Sequence, residues 1–342
     1  MDSTSSCRSR NRFYAVVLLA IFLLAGHAFA QVSAVKPEKP QVEVAIAAWG
    51  ATAIPTAVAL DGGYFAKHGL NVNISVIAAS TSVQAVISGR VDIYQGGATA
   101  IAGNLGGADI IYVGASVDKS SLMLLGQKGL TSFEQFRGKT ISTTSPGAFG
   151  EIVVRMTARK YGMELGKDVK LIYHRTPGEA LSTFLVGNAD GLVIGPPHSD
   201  LARQKGAATV VVDYYKEGVK IIGPGTAVMR EFAQKNPNTI KAYFMGHLDG
   251  LKRALDDEEY AKKLDGKYSK LTDAALLSEN YRQGSRVWNK DMTVDPAAIR
   301  VVLEDSPDGK GKGADSRRFY DNTIIQAVNR DYASKLFPGD VK

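Results

Sequence analysis

The stretch Thr143-Thr144-Ser145-Pro146-Gly147-Ala148-Phe149 gathers hydroxyls, a glycine and an aromatic ring into one short run. Hydroxyls at the start of a helix, beside backbone N–H groups that have no intrahelical partner, suit capture of an anion or a polar headgroup. Comparable groups recur along the chain: Trp49 with Thr52, Ser80 with Thr81, Gly97 with Thr99, and Pro196 with His198. Together with Thr144, Ser145, Gly147 and Phe149, these twelve positions form the expected ligand-binding set. The chemistry they suit is noncovalent: helix starts at Thr81 and Gly147 hold a charge, while Trp49 and Phe149 pack an organic body. Ser145 is also expected to cap its own helix, and Thr81 and Ser82 to cap theirs.

Bond-making chemistry finds little support. Ser116-Val117-Asp118-Lys119 matches the S-x-x-K of penicillin-recognising enzymes, but no S-D-N or K-T-G accompanies it, and Gly138-Lys139-Thr140 runs in the wrong order. The glycines of DGKGKGAD, Asp308 to Asp315, lack the spacing and the following Ser or Thr of a phosphate loop. His68, His174, His198 and His247 are far apart, without H-x-H or H-E-x-x-H, so no metal site is expected. The single cysteine, Cys7, stands near the start of the chain. No catalytic residue, metal or cofactor is therefore expected.

Before any of this comes a leader. Arg8, Arg10 and Arg12 precede an apolar run from Phe13 to Ala25, and Ala28-Phe29-Ala30 has the small-x-small form of a signal-peptidase site. The run is too short to span a bilayer core. The expected result is export, with cleavage after Ala30 and a linker over residues 31–41. The rest lacks cysteine, so it must rely on a core rather than on disulfides, which a chain of this length allows. The net charge of +7 is mild and scattered, without a basic block or interleaved aromatic stripe, so no nucleic-acid partner is expected.

The elements that carry these groups come twice. Strand, helix, strand, helix, strand runs from Val42 to Tyr94 and again from Lys139 to Ile194. Gly89 and Asp92 in VISGRVDI are answered by Gly187 and Asp190 in LVGNADGL, both at a spacing of 98. The βαβαβ order requires a largely parallel sheet with helices on its faces. The first unit holds one helix from Pro55 towards Gly69, and the second a helix over 147–161. The polar break Ser116 to Ser121 reads as a crossing to a second lobe, and the stretch ending at Met229 as the return. Helices follow to the end, the last over 320–332, after a glycine- and charge-rich mobile loop over 306–318. The fold class is thus α/β, with two pseudo-symmetric lobes joined by a two-crossing hinge. Residues 42–117 and 224–342 form lobe 1, and 118–223 form lobe 2. Ligands settle where parallel strands end, so the gap between the lobes is the expected cleft and the crossings its hinge.

GYFAKHGLNV, ISGRVDI, FRGKTISTTSPGAFGE, FLVGNADGLVI and MREFAQKNPNTIKAYF together resemble the substrate-binding proteins of ABC importers of the nitrate, sulfonate, taurine and thiamine-precursor class. The resemblance implies a type II periplasmic binding fold. It further implies a monomeric periplasmic receptor that passes a small solute, anionic and sulfonate-, nitrate- or carboxylate-like, to an ABC permease in the inner membrane. Two alternatives stay open: a thiamine-pyrimidine receptor or related enzyme, and a sensory module with no transport role. The enzymes of that group carry a cysteine-rich run and a histidine beyond the strand matching Val91 to Tyr94. This chain has QGGATAIAG there.

Overall fold

The structure, a computed structural model, describes residues 35–341 except 205, 207 and 307–308. The leader expected over residues 1–30 lies outside that range.

Two five-stranded sheets organise the chain. The first has the order β2-β1-β3-β10-β4, from β1 (Gln41–Ile46), β2 (Asn71–Val76), β3 (Ile93–Gly96), β4 (Ile110–Ala115) and β10 (Gly225–Met229). The second has the order β7-β6-β8-β5-β9, from β5 (Met123–Gln127), β6 (Thr140–Thr143), β7 (Lys170–Tyr173), β8 (Gly191–Ile194) and β9 (Ala208–Asp213). The orders are the same once the repeat is allowed for. In each sheet three strands are parallel, and the fourth is an antiparallel strand supplied by a crossing segment, β10 in one and β5 in the other.

The repeated Gly and Asp have the same physical task in both halves. Gly89 and Gly187 take left-handed backbone, φ 73° and 80°, which lets the helix turn into the strand without a Cβ clash. The Asp92 carboxylate then accepts the Glu43 N–H of the neighbouring strand at 3.0 Å, and the Asp190 carboxylate accepts the Thr140 N–H at 2.9 Å. Each aspartate thus pins the start of its strand to the next one.

Helices α1 (Ile54–Asp61), α2 (Tyr64–Lys67), α3 (Ala79–Ile87) and α4 (Thr99–Leu105) connect the first sheet, and α5 (Phe149–Lys160), α6 (Pro177–Leu185) and α7 (His198–Gln204) connect the second. The single helix expected from Pro55 to Gly69 is broken, because Gly63 adopts φ 71° and restarts the chain as α2. The C-terminal part adds α8 (Arg230–Lys235), α9 (Pro237–Asp256), α10 (Glu258–Ser269), α11 (Ala274–Ser285), α12 (Pro296–Glu304) and α13 (Thr323–Val328). The last helix lies a few residues later than expected, since α13 passes through a π-helical turn over Asn329–Ala333 into a final helical turn, Ser334–Leu336. The segment expected as a mobile loop closes in a short turn, Ser316–Phe319, that buries Phe319 against the α4 and α12 side of the core.

The largest core cluster joins the first sheet to α1 and α9. Its density comes from small residues. Gly246 and Gly250 lie one helical turn apart on α9, and a Cβ on Gly250 would fall 2.6 Å from the Pro55 carbonyl oxygen. The second sheet has its own two clusters on its faces, around Phe133, Phe136 and Val154, and around Leu125, Phe184 and Leu192.

Candidate functional site

The parallel strands of the two sheets end at Ile46, Val76 and Gly96, and at Thr143, Tyr173 and Ile194. The segments that leave these ends face one another. Between them lie two adjoining compartments of about 270 and 230 Å³, which share Ala47, Ala48, Gly97, Leu122, Phe149 and Pro177. Together they form one elongated cleft with its ends in different surroundings.

One end is apolar and aromatic. Trp49, Ile194 and Ile221 line it with Pro196 and Phe149. Trp49 lies against the ring of Tyr268, centroids 4.5 Å apart, which fixes the indole before anything binds. Beneath this end Gln95 is held by fully buried groups: its Nε2 donates to Thr56 Oγ1 at 2.9 Å, its Oε1 accepts from the Tyr243 hydroxyl at 3.3 Å, and His247 Nδ1 lies 3.4 Å away. Burial lowers the His247 pKa to about 4, so the network is neutral at neutral pH. Burial also lowers the pKa of His198, which reaches the same compartment as a neutral ring able to donate or accept one hydrogen bond.

The other end is polar. Thr99, Thr144 and Ser145 line it, and the Tyr94 hydroxyl lies 2.9 Å from Thr99 Oγ1. Arg175 stands at the same end, exposed to solvent. Its backbone N–H donates to Glu179 at 3.1 Å, while its guanidinium has no hydrogen bond or ion pair among the described residues. Every other described residue lining the two compartments is uncharged at neutral pH.

The helix start expected to receive an anion already has one. The carboxylate of Glu151, only 4 % exposed, reaches back to accept the Gly147 N–H at 2.9 Å. The same carboxylate accepts from the Arg155 guanidinium and from the Tyr173 hydroxyl at 2.9 Å. The chain's own acidic residue thus complements the positive end of α5, as a capping glutamate does. Replacing Glu151 with Ala is expected to lower stability by roughly 2 to 3 kcal/mol, because Arg155 and the Tyr173 hydroxyl lose a buried partner. Urea unfolding measures this, and an unchanged midpoint would contradict it.

Of the twelve positions expected in the site, the structure brings nine to the cleft walls. Trp49, Thr52, Gly97, Phe149, Pro196 and His198 line the first compartment, and Gly97, Thr99, Thr144, Ser145 and Phe149 the second. Ser80 and Thr81 are instead exposed in the first turn of α3, which presents Ala78 and Ala79 to the cleft. Neither Thr81 nor Ser82 caps that helix; Ser82 Oγ donates to the Ile77 carbonyl at 3.0 Å. Ser145 does not cap α5 either, and Gly147 lines a separate cavity of about 260 Å³ with Ile101, Ile152 and Val302. Arg175 and Gln95 were not expected. Arg175 follows β7 as Ala78 follows β2, so the rule that ligands sit at strand ends, applied to every parallel strand, reaches it. Gln95 carries no such signal, since it sits inside a strand and owes its place to residues distant in sequence.

Among the described residues no helix is long and apolar enough to cross a membrane, and no group of three or more His, Cys, Asp or Glu could hold a metal ion.

The model of the family described as "NMT1/THI5 like" matches residues 51–261. Among the curated proteins nothing matches. Among solved structures, a protein from Bordetella bronchiseptica RB50 is similar at 20 % identity and a TM-score of 0.77, over 87 % of this chain and 99 % of that one. The alkanesulfonate-binding protein SsuA from Xanthomonas axonopodis pv. citri, bound to MOPS, is similar at 16 % identity and 0.66, over 89 % and 96 %. The periplasmic nitrate-binding protein NrtA from Synechocystis PCC 6803 is similar at 14 % identity and 0.69, over 89 % and 92 %. At these identities the likeness is one of fold, the two-lobed α/β architecture of periplasmic binding proteins.

Proposed function

The chain belongs to the NMT1/THI5-like family, and on that footing we propose that it is the solute receptor of an ABC importer. In this reading it is exported to the periplasm, cleaved after Ala30, and acts as a monomer that passes an organic anion to a permease in the inner membrane without altering it. Residues 42–117 with 224–342, and residues 118–223, act as two jaws that close about the crossings.

The observation that carries the ligand class is Arg175, a cation without a partner among the described residues, at one end of a cleft otherwise lined by neutral groups and aromatic rings. A carboxylate or sulfonate fits a guanidinium fork in two-point geometry. The adjoining compartments leave space for a body of several carbons against Phe149 and Trp49, the usual division of labour in a small-molecule site. Nitrate would occupy the Arg175 end and leave the apolar end unfilled. Thr99, Thr144 and Ser145 then supply hydroxyls to the anionic group. Gln95, His198 and Thr52 meet the far end, with Gly97 and Pro196 shaping the wall between.

Thermal unfolding of the purified protein, stripped of carried-over solute, tests this against arene- and alkanesulfonates, aromatic carboxylates, nitrate and a pyrimidine. A solute present at a thousand times its Kd adds about 4 kcal/mol, which raises Tm by several degrees. The expected result is a shift with organic sulfonates or carboxylates and none with nitrate. A shift with nitrate alone or the pyrimidine alone, or none across the panel, would overturn it.

A further inference from the structure

On the side of the cleft next to His198, the lobes touch through two helices. The second sheet carries α7, whereas α11 packs on the first-lobe segment Ala51–Ala53 and on α10. At their contact Asp200 of α7 is buried, 3 % exposed. Its Oδ1 accepts from Arg203 Nη1 at 3.1 Å, and its Oδ2 has no hydrogen-bond partner. Facing it from α11 are Glu279 and Arg282, which are paired with each other, Arg282 Nε donating to Glu279 Oε2 at 2.7 Å. Gln283 Nε2 donates to the other Glu279 oxygen at 2.8 Å. Two carboxylates therefore face each other across the α7–α11 contact, and the supporting hydrogen bonds of α11 go to Glu279.

We propose that Asp200 couples closing of the cleft to uptake of a proton, so that the receptor closes more readily, and holds its solute more tightly, as pH falls. This regulation rests on the reading of the two lobes as closing jaws.

Burial first, and the negative charge of Glu279 second, hold the Asp200 pKa up at about 6, against the opposing pull of Arg203 and Arg282. The hydrogen bonds from Arg282 keep Glu279 low and therefore ionised. Opening withdraws α11 from α7, which returns water to Asp200 and removes Glu279, so the open-state pKa falls towards the ordinary carboxylate value. Above pH 7 Asp200 is charged in both forms, and closing carries the whole cost of burying that charge. Below pH 6 the closed form takes up a proton that the open form does not, and closing is favoured until both forms are protonated. Between pH 7.5 and 5 the Asp200 proton alone should raise the closed-to-open ratio roughly tenfold.

Other titratable groups also face α7. His198, on the same helix, has its pKa lowered by burial, so closing expels its proton and acts with the opposite sign between that value and the ordinary one. Glu179 of α6 is engaged with the Arg175 N–H at 3.1 Å, and Asp213 of β9 with the Tyr215 N–H at 3.1 Å. Strand β8 carries no titratable side chain.

The test uses no solute. Donor and acceptor dyes on Lys128→Cys in lobe 2 and Lys263→Cys in lobe 1, both exposed positions, in a Cys7→Ser background, report closure by energy transfer. From pH 7.5 to 5 the closed-to-open ratio of the parent should rise roughly tenfold relative to that of Asp200→Asn, whose profile carries the opposing His198 contribution. Asp200→Asn should be more closed than the parent at pH 7.5 and should keep only the reversed slope that His198 supplies. Glu279→Gln should move the transition to lower pH, which decides the matter if Asp200→Asn does not fold. An Asp200→Asn profile that runs parallel to the parent's overturns the coupling. A solute panel that fails while this response persists removes the ligand reading alone, and the reverse outcome removes the coupling alone.

Discussion

Replacing Arg175 with Glu is expected to weaken binding of an organic sulfonate or carboxylate by at least about a hundredfold while leaving the unliganded protein as stable as before. The loss follows from what the side chain does. A charge-assisted hydrogen bond contributes about 1.5 to 3 kcal/mol, and charge reversal adds repulsion where the cleft has no second cation to offset it. Stability should not change, because the Arg175 guanidinium makes no hydrogen bond or ion pair among the described residues and the side chain is exposed. Arg175→Lys keeps the charge but loses the planar fork, and should fall between, roughly tenfold weaker. Calorimetric titration of the three forms with one solute measures the series. Equal affinities would remove Arg175 from the site.

The second large effect is one of sign. Gly→Ala inside a helix ordinarily stabilises by up to about 1 kcal/mol, since alanine loses less backbone freedom on folding. At Gly250 the change should instead destabilise by about 2 kcal/mol or more. The added Cβ falls 2.6 Å from the Pro55 oxygen, 2.7 Å from the Ala59 nitrogen and 2.6 Å from Ala59 Cβ, and backbone atoms cannot rotate aside as a side-chain tip can. The helices α1 and α9 would have to separate, and α1 leads directly from the cleft segment that holds Trp49 and Thr52. Gly178→Ala in α6 is the control: nothing lies within 4 Å of its Cβ, so it should be neutral or gain about 0.5 kcal/mol. Denaturant midpoints of the two variants give the comparison. A stabilised Gly250→Ala would mean that the two helices do not pack at this distance.

How much of this was legible in the sequence depends on how local each cause is. The βαβαβ repeat could be read from Gly89 and Asp92 with Gly187 and Asp190, because a left-handed turn and a strand-pinning carboxylate act within a few residues of themselves. The break at Gly63 carried a signal too, the glycine pair, but the flanking apolar pattern suggested one helix. At the start of α5 the competition was between donors and acceptors for the same amide. Ser145 was a plausible cap by position, yet Glu151, four residues beyond Gly147, reaches the Gly147 N–H at 2.9 Å and displaces that reading. A carboxylate in the first turn of a helix is itself a cap signal. Arg175 was reachable from the strand-end rule. The Gln95 network was not, since Thr56, Tyr243 and His247 meet it only through folding. The charge pair Asp200 and Glu279 likewise belongs to elements far apart in the chain.

The central claim is that the cleft holds an organic anion with its charge at Arg175 and its body towards Trp49. A crystal structure of the protein with the solute that produces the largest thermal shift tests this most directly. Both anionic oxygens should lie within hydrogen-bond distance of the Arg175 guanidinium, the apolar part between Phe149 and Trp49, and the Glu151 carboxylate still on the Gly147 N–H. A solute bound with its charged group on the Gly147 amide, or lodged in the cavity beside Ile101 and Val302, would contradict it.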